Sequence, residues 1–310
     1  MKKLISVVIP LFNEEEVISE LGQRLKALME NMRDHDFEVI MVENGSTDLT
    51  FKKLKDLNGR DGRFKVVRLS RNFGCDGAIS AGLRYAKGDA AVIMNADLQD
   101  PPEVIPEFLK KWEEGYEIVY GIIKKRQGVS KIRGMASNIF SPIMDLLTGG
   151  LFPRNVGDFR LVDKKAYEVI NSLPEKNRFL RGMVAWIGFS QTGVEFERQA
   201  RFAGEPKARF SDIVRLALDA IFAFSYFPLK VITILGATLS ALSLSAIFIY
   251  VALFFIAGRQ VPGFTTLITL MLFLFGMLFF MLGIIGEYLS RIYDEVKQRP
   301  NFIVKEKVGI

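Results

Sequence analysis

The sequence contains only one histidine, His35, and one cysteine, Cys75, among its 310 residues. One cysteine excludes a disulfide framework within the chain, and one histidine excludes a zinc site built on several histidines. The sequence also lacks the glycine-rich fingerprint of dinucleotide-binding domains and the lysine-containing phosphate loop of kinase-type enzymes. Carboxylates must therefore carry most of the chemistry of any active site that the chain forms.

Charge is missing from two long segments, Val231 to Ala257 and Gln260 to Gly286. Because about 20 apolar residues cross a bilayer, these segments predict transmembrane helices at about 231–257 and 264–286, within a membrane region at 229–289. The short connector between them predicts an antiparallel hairpin. Basic residues lie before the first helix and in the tail at 290–310. The positive-inside rule then predicts a multi-pass protein of the cytoplasmic membrane, with its catalytic domain and both termini in the cytoplasm.

The segment at 211–228 has apolar residues at helical spacing, with charged residues between them. It predicts an amphipathic helix in the membrane interface that joins a cytoplasmic domain at 1–210 to the hairpin, and the alternative is a surface helix packed on that domain. In the tail, Asn301 to Lys305 predicts a short strand, a candidate for pairing with another chain. The net charge of +6 indicates either an anionic partner or anchoring at the cytoplasmic face of a membrane.

Apolar β-branched runs alternate with helical patterns in the first part of the chain. Strands are predicted at Ile5–Ile9, Phe37–Val42, Phe64–Leu69 and Ala90–Met94, and helices at Glu15–Met32 and about Gly77–Ala86. This alternation predicts an α/β fold with a parallel sheet, in which ligands bind outside the carboxyl ends of the strands. Polar residues follow every predicted strand: Asn13 and Glu14, Glu43 and Asn44, Arg71 and Asn72, and Asn95 and Asp97.

The segment from Asn95 to Glu103 follows the fourth predicted strand and places several carboxylates in a turn that contains two prolines. Carboxylate oxygens are the ligands that Mg²⁺ and Mn²⁺ prefer, and the shortage of histidine and cysteine excludes softer sites. The carboxylates of this turn are therefore predicted to bind a divalent metal ion. Asp100 is either a ligand or a cap of the turn.

Four sequence blocks, at 8–14, 42–48, 70–74 and 96–103, resemble those of family 2 glycosyltransferases, in the same order. With the block at 157–161 and the C-terminal pair of apolar segments, the whole chain resembles the polyisoprenyl-phosphate glycosyltransferases. It is more similar to bactoprenol glucosyltransferases than to dolichol-phosphate mannose synthases. The resemblance implies a Rossmann-like GT-A fold, a divalent metal (Mg²⁺ or Mn²⁺), and inverting transfer of a sugar from a nucleotide to the phosphate of a membrane lipid.

The resemblance also implies a role for each block. Asp97 would hold the metal that bridges the diphosphate, and Asp158 would lie beside the reacting centre as a catalytic residue and a further candidate metal ligand. The residues implied in binding the nucleotide sugar are Pro10, Phe12, Asn13, Glu14, Glu43, Asn44, Arg71, Gly74, Ala96 and Asp97. Basic residues would hold the diphosphate or the acceptor phosphate; the candidates are Arg126, Lys131, Arg133, Arg201 and Lys207.

The chain departs from the family pattern at three places. Asn95 stands where the first Asp of an Asp-x-Asp pair is usual, and its amide brings no charge, so metal affinity should fall. Glu43 and Asn44 stand where two Asp residues are common, and Pro206 stands where Ser is usual. Asp158 acts either as a base or as an orienting group. A base is less needed here, because a phosphate with a second pKa near 6 is already largely anionic at neutral pH.

We expect a homo-oligomeric enzyme that transfers one hexose, glucose from UDP-glucose, to a polyprenyl phosphate. GDP-mannose and a UDP-amino sugar are alternative donors. A processive polysaccharide synthase is disfavoured. Such enzymes usually carry a Gln-x-x-Arg-Trp motif, but neither Trp112 nor Trp186 follows an Arg. Two helices also cannot enclose a polymer channel. An inactive membrane scaffold or nucleotide-sugar-binding protein is the alternative of another class, and Asn95 motivates it. A nucleic-acid binder is not expected, because the chain has no nucleic-acid-binding motif.

Overall fold

The computed structural model describes residues 2–126, 155–200, 202, 221–223, 225–257 and 263–310. The chain forms two compact units. The first combines Met1–Ala217 with the tail Arg299–Ile310, and the second is Leu218–Gln298. The tail therefore returns to the unit in which the chain began.

The first unit contains one eight-stranded sheet, with strand order β7-β5-β6-β4-β1-β2-β3-β8. Neighbouring strands are parallel in β4-β1-β2-β3 and in the pair β5-β7, whereas β6 runs antiparallel to β4 and β5, and β8 runs antiparallel to β3. The strands are β1 Lys3–Leu11, β2 His35–Glu43, β3 Phe64–Leu69, β4 Ala90–Ile93, β5 Ile118–Arg126, β6 Val156–Asp163, β7 Gln191–Arg198 and β8 Val304–Val308.

The first four strands lie at the predicted places, and the predicted parallel arrangement is confirmed for them. The strands that were not among these four make the complete sheet mixed, because β6 and β8 run antiparallel to their neighbours. Strands β1 and β4 lie at its centre, and the side chains on both of their faces are almost completely buried. Burial on both faces explains why these strands are continuous apolar runs in the sequence, with no polar alternation.

Helices cover the sheet. They are α1 Ile18–Asn31, α2 Thr50–Arg60, α3 Gly74–Tyr85, α4 Ile105–Glu113, α5 Lys164–Ser172 and α6 Leu180–Trp186, with one 3₁₀ turn at Pro102–Val104. Helix α1 buries Leu21, Leu25 and Leu28, which share one helical face. Helix α3 begins at Gly74, which has φ +79°, three residues before its predicted start.

The tail strand β8 pairs with β3 of the same chain, with Val308 opposite Val66. Just before β8, the carbonyl of Ile303 accepts a hydrogen bond of 2.9 Å from the backbone N–H of Ser70. The expectation of pairing with another chain is therefore wrong for this structure. The tail thus forms hydrogen bonds with backbone groups at the edge of β3 that would otherwise have no strand partner.

The second unit contains the two long helices α7, Phe227–Ala257, and α8, Phe264–Lys297. Both are long and apolar enough to cross a membrane, and their apolar side chains are mostly exposed, as at Phe255 (81%) and Ile256 (83%). The 34 residues of α8 span about 51 Å, more than the ~30 Å of a bilayer core, so its charged last turns extend beyond the predicted end at Gly286.

The predicted amphipathic helix at 211–228 lies mostly outside the described residues. Residues 221–223 are helical, and Ser225 and Tyr226 separate them from α7. The hydroxyl of Ser225 accepts a hydrogen bond of 3.1 Å from the N–H of Phe227, the first residue of α7. Its backbone carbonyl accepts a hydrogen bond of 2.9 Å from the hydroxyl of Tyr288 in α8. These two contacts fix the point at which the chain enters α7.

Candidate active site

The loops after β1 and β2 bind each other at the carboxyl edge of the sheet. The backbone N–H of Asn13 donates to the hydroxyl of Ser46 at 3.0 Å, and the side-chain oxygen of Asn13 accepts from the N–H of Thr47 at 2.9 Å. Asn13 has φ +52°, a left-handed conformation that asparagine tolerates better than most residues. Two of the predicted polar strand ends therefore meet at this edge of the sheet.

Asn44 connects β2 to the loop after β3. Its Nδ2 donates to the carbonyl of Gly74 at 2.9 Å and to Oδ1 of Asn72 at 3.1 Å, while its Oδ1 accepts from the N–H of Phe73 at 2.9 Å. A carboxylate could not donate the first two bonds. The structure thus gives a physical reason for an amide at a position where the resemblance predicts Asp.

Gly45 allows the close approach of these two loops. A Cβ at this position would lie 2.6 Å from the backbone carbonyl carbon of Arg71, and the φ of Gly45 is +74°. Arg71 itself is exposed, and its guanidinium lies 4.0 Å from the ring centroid of Phe73. Arg71 and Gly74 therefore lie at the edge where the resemblance places the nucleotide.

Glu43 is fully buried beneath these loops. One of its carboxylate oxygens accepts from the N–H of Ser46, and the other lies 2.9 Å from Nε of Arg68. Because both oxygens are buried and already engaged, Glu43 supports the loop after β2 from inside the fold. Pro10 and Phe12 are half-buried, at the end of β1 and just after it.

The carboxylate loop follows β4. Leu98 has φ +57° and is buried, and the turn that it forms lets Oδ1 of Asp97 accept from the N–H of Gln99 at 3.2 Å. A left-handed non-glycine residue costs roughly 1–3 kcal/mol, and such residues cluster at functional sites. Asp97 is 8% exposed and Ala96 is buried, so the loop is a formed structure at the strand end.

Asp100 is held inside the same loop. It is 2% exposed, and its Oδ2 accepts from Nδ2 of Asn95 at 3.3 Å, while its Oδ1 lies 3.2 Å from Nε of Arg198. Burial raises its pKa to about 6, against the opposing effect of Arg198. Asp100 does not cap the 3₁₀ turn at Pro102–Val104, which has no side-chain cap. Its contact with Asn95 turns the amide so that Oδ1 of Asn95 remains an acceptor.

The chain after β7 lies along the carboxylate loop. The N–H of Gln199 donates to the carbonyl of Gln99 at 3.0 Å, and the N–H of Phe202 donates to the carbonyl of Asp97 at 3.4 Å. Among the predicted basic residues, Arg126 ends β5 opposite Arg198, and nothing is described of its side chain. Arg201, Lys207, Lys131 and Arg133 lie outside the described residues.

Asp158 lies at the same edge, because β6 runs antiparallel to β4 with Arg160 opposite Ile93. Arg181, in α6, binds both of its oxygens, with Nε at 2.6 Å and Nη2 at 2.7 Å. Burial alone would raise the pKa of Asp158, but the Arg181 guanidinium holds that pKa below its usual value. The sequence analysis missed Arg181, since no local pattern links it to a residue 23 positions away.

Two further residues missed by the sequence analysis lie near this ion pair. Oδ1 of Asp76, in the first turn of α3, accepts from the N–H of Leu180 at 3.3 Å and so holds the start of α6. Burial, followed by the charge of Asp158, raises the pKa of Asp76 to about 6. Arg160 is 6% exposed and donates to the carbonyl of Gly157 at 2.7 Å. Burial lowers its pKa to about 10.

The oxygen ligands at this edge of the sheet fit a divalent metal ion that a substrate also binds. Among the described residues, no group of three or more His, Cys, Asp or Glu side chains is arranged to hold a metal ion. Mg²⁺ commonly takes one or two protein carboxylates and completes its shell with phosphate oxygens and water. Asp97 and the amide oxygen of Asn95 match that requirement, whereas Asp158 is already bound on both oxygens by Arg181.

The Rossmann-like sheet, with polar loops and a carboxylate turn at its carboxyl edge, defines a GT-A glycosyltransferase. The fold is similar to that of glucosyl-3-phosphoglycerate synthase from Mycobacterium tuberculosis in complex with Mn²⁺, UDP and phosphoglyceric acid. The TM-score is 0.51 at 20% identity, over 71% of this chain and 76% of that chain. The chain belongs to glycosyl transferase family 2, which it matches over residues 6–170, and residues 227–292 match the GtrB C-terminal hairpin.

Relatives match over almost the whole chain. An uncharacterized glycosyltransferase of Synechocystis sp. is 42% identical over 99% of this chain and 96% of its own length. The SfII prophage-derived bactoprenol glucosyl transferase of Shigella flexneri is 35% identical, over 97% of each chain. A prophage bactoprenol glucosyl transferase homolog of Escherichia coli is 34% identical, over 97% of this chain and 98% of its own length.

Proposed function

We propose that the protein transfers one glucose from UDP-glucose to a polyprenyl phosphate, with inversion, at the cytoplasmic face of a membrane. One observation carries the proposal: proteins named bactoprenol glucosyl transferases are 34–35% identical over both the catalytic domain and the hairpin. The catalytic domain supplies the sugar-transfer site, and the hairpin brings it to a lipid. A solved structure with a similar GT-A fold contains UDP and Mn²⁺. This supports a nucleoside diphosphate as the leaving group.

In the proposed reaction, an oxygen of the acceptor phosphate forms a bond to the anomeric carbon of glucose. The bond from that carbon to the diphosphate breaks, and UDP leaves with the electron pair. The cleft between the loops of Asn13, Asn44 and Arg71 would bind the nucleotide. Asp97, with Asn95, would hold Mg²⁺ or Mn²⁺, which neutralises the charge that develops on the leaving diphosphate.

Asp158 would hold Arg181 in position and would not remove a proton from the acceptor. Its pKa lies below the usual value beside Arg181, which makes it a weak base at neutral pH. The acceptor phosphate is already largely ionised there, so the reaction does not require a base. The carboxylate instead fixes Arg181 at the edge where β4 ends.

The fold also supports the proposed membrane topology. Strand β8 belongs to the same sheet as β1, although α7 and α8 separate it from the rest of that sheet in sequence. A chain that crosses a bilayer twice returns to the side from which it started. The basic tail favours the cytoplasmic side. A homo-oligomer remains part of the proposal, and light scattering of the purified protein in detergent tests it.

A donor panel tests the function. Full-length protein in detergent is supplied with undecaprenyl phosphate, Mn²⁺ and one of UDP-glucose, GDP-mannose or a UDP-amino sugar, and lipid-linked product is measured. We expect product and UDP release from UDP-glucose, both lost on chelation of the metal and in Asp97→Ala. Product from another donor and not from UDP-glucose would show that the protein transfers a different sugar. No turnover with any donor would favour the scaffold that Asn95 suggested.

A further inference from the structure

We propose that Arg181 binds the phosphate of the lipid acceptor through the N–H groups that Asp158 does not use. This inference rests on the proposed function, since it names a residue for the acceptor of that reaction. A guanidinium has five N–H donors. Nε and Nη2 of Arg181 each donate to Asp158, and among the described residues Arg181 makes no other hydrogen bond. Both N–H groups of Nη1 and one of Nη2 therefore remain.

Arg181 is the more accessible partner of this ion pair. Its side chain is 34% exposed, compared with 15% for that of Asp158. A ligand can therefore reach the guanidinium more readily than the carboxylate.

The charge of the site requires such a cation. Asp158, Asp97 and Asp100 lie at the edge that must accept a phosphate dianion beside a nucleoside diphosphate. Without compensation, these carboxylates would repel the acceptor. Arg181 neutralises Asp158 and can bind phosphate by two parallel N–H···O bonds, a geometry that lysine cannot provide.

The neighbouring arginines are less suited to this role. Arg160 is buried, and Arg198 lies against Asp100. Arg178, three residues before Arg181, donates to the carbonyls of Leu173 and Glu175 at 2.7 and 3.3 Å and to the hydroxyl of Ser80 at 3.4 Å. Its hydrogen bonds join parts of the fold, which makes Arg178 a matched control for Arg181.

Direct binding tests the inference without turnover. Farnesyl phosphate is titrated into the full-length protein in detergent, for the wild type, Arg181→Lys, Arg181→Gln and Arg178→Lys, and Mn²⁺-dependent UDP binding is measured on each sample. We expect roughly tenfold or greater loss of farnesyl phosphate affinity in both Arg181 variants, because a charged hydrogen-bond pair is lost. UDP affinity should be kept. Arg178→Lys should lower the unfolding temperature and leave both affinities unchanged.

Three results would overturn the assignment: unchanged farnesyl phosphate affinity in Arg181→Gln, an equal loss in Arg178→Lys, or a parallel loss of UDP affinity, which would place Arg181 on the donor side. If Arg181→Lys fails to fold, UDP binding by Arg181→Gln shows whether the site is intact. If neither variant binds UDP, Arg181 is structural and the assignment is wrong. The proposed function fails separately, when the wild type forms no lipid-linked product with any donor.

Discussion

Nδ2 of Asn44 lies 2.9 Å from the carbonyl oxygen of Gly74, and this hydrogen bond joins the end of β2 to the start of α3. An amide that donates twice and accepts once holds three backbone or side-chain groups of the loop after β3. The loop carries Arg71, so the bond links the packing of the sheet to the wall of the proposed nucleotide cleft.

Asn44→Asp should therefore weaken UDP binding. The substitution loses both donated bonds and places a carboxylate against two oxygen acceptors, which costs about 1–3 kcal/mol for each unsatisfied group. Isothermal titration with UDP and Mn²⁺, together with thermal unfolding, measures both effects. Asn58→Asp is the matched control, because Nδ2 of Asn58 also donates to a carbonyl, that of Phe64, at 2.6 Å. Normal UDP affinity in Asn44→Asp would contradict the role of this bond.

Asn95→Asp should tighten metal binding at the expense of stability without metal. The added carboxylate brings charge to the predicted ligand set, but it loses the hydrogen bond to Asp100 and faces that buried carboxylate. We expect a lower unfolding temperature without metal and a larger rise on addition of Mn²⁺. The double variant Asn95→Asp, Asp100→Asn should recover the stability of the metal-free protein. If Mn²⁺ affinity did not change, position 95 would not be a ligand site.

Asp158→Asn tests whether Asp158 acts as a base. The depressed pKa means that the ionised carboxylate stabilises the fold above the unfolded pKa of about 3.9, and this contribution is lost as the pH falls through the lower folded value. The stability difference between wild type and Asp158→Asn should thus be full at pH 7 and shrink below about pH 4. In the wild type, activity should rise through pH ~6 with ionisation of the acceptor phosphate. Rescue of Asp158→Asn by added formate would instead indicate a base.

The folded protein should be more stable when Asp76 is protonated. Its pKa is raised to about 6, so its charged form is disfavoured in the folded state, and stability is lost as the pH rises through that value. Asp76→Asn keeps an acceptor for the N–H of Leu180 and should raise the unfolding temperature at pH 8 but not at pH 4. Asp76→Ala removes the acceptor and should also lower kcat through Arg181. Asp163→Ala is the control, because it removes the cap of α5 at the other edge of the sheet. It should lower the stability of the protein but not its kcat.

The sequence predicts what local patterns determine. The buried strands β1 and β4 are apolar runs, and the polar residues after them indicate the ligand edge because parallel strands end together. The partners within that edge are not predictable in this way. Asn44 binds residues about 30 positions away, and Arg181 reaches Asp158 across 23 positions. Such contacts depend on how α3 and α6 pack on the sheet, and no periodicity records that packing.

The pairing of β8 with β3 can be tested by a disulfide. Val66 and Val308 lie opposite each other in the antiparallel register, where Cα atoms are ~4.5–5.5 Å apart, within the range that a disulfide spans. Cys75 is first replaced by Ser, and Val66→Cys and Val308→Cys are introduced together and oxidised mildly. Since β8 pairs within its own chain, the product should be a cross-linked monomer on a non-reducing gel. The control combines Val66→Cys with Lys305→Cys. Position 305 lies three residues away from the partner of Val66, so this pair should not form a cross-link. A dimer would instead show that the tail completes the sheet of a second copy.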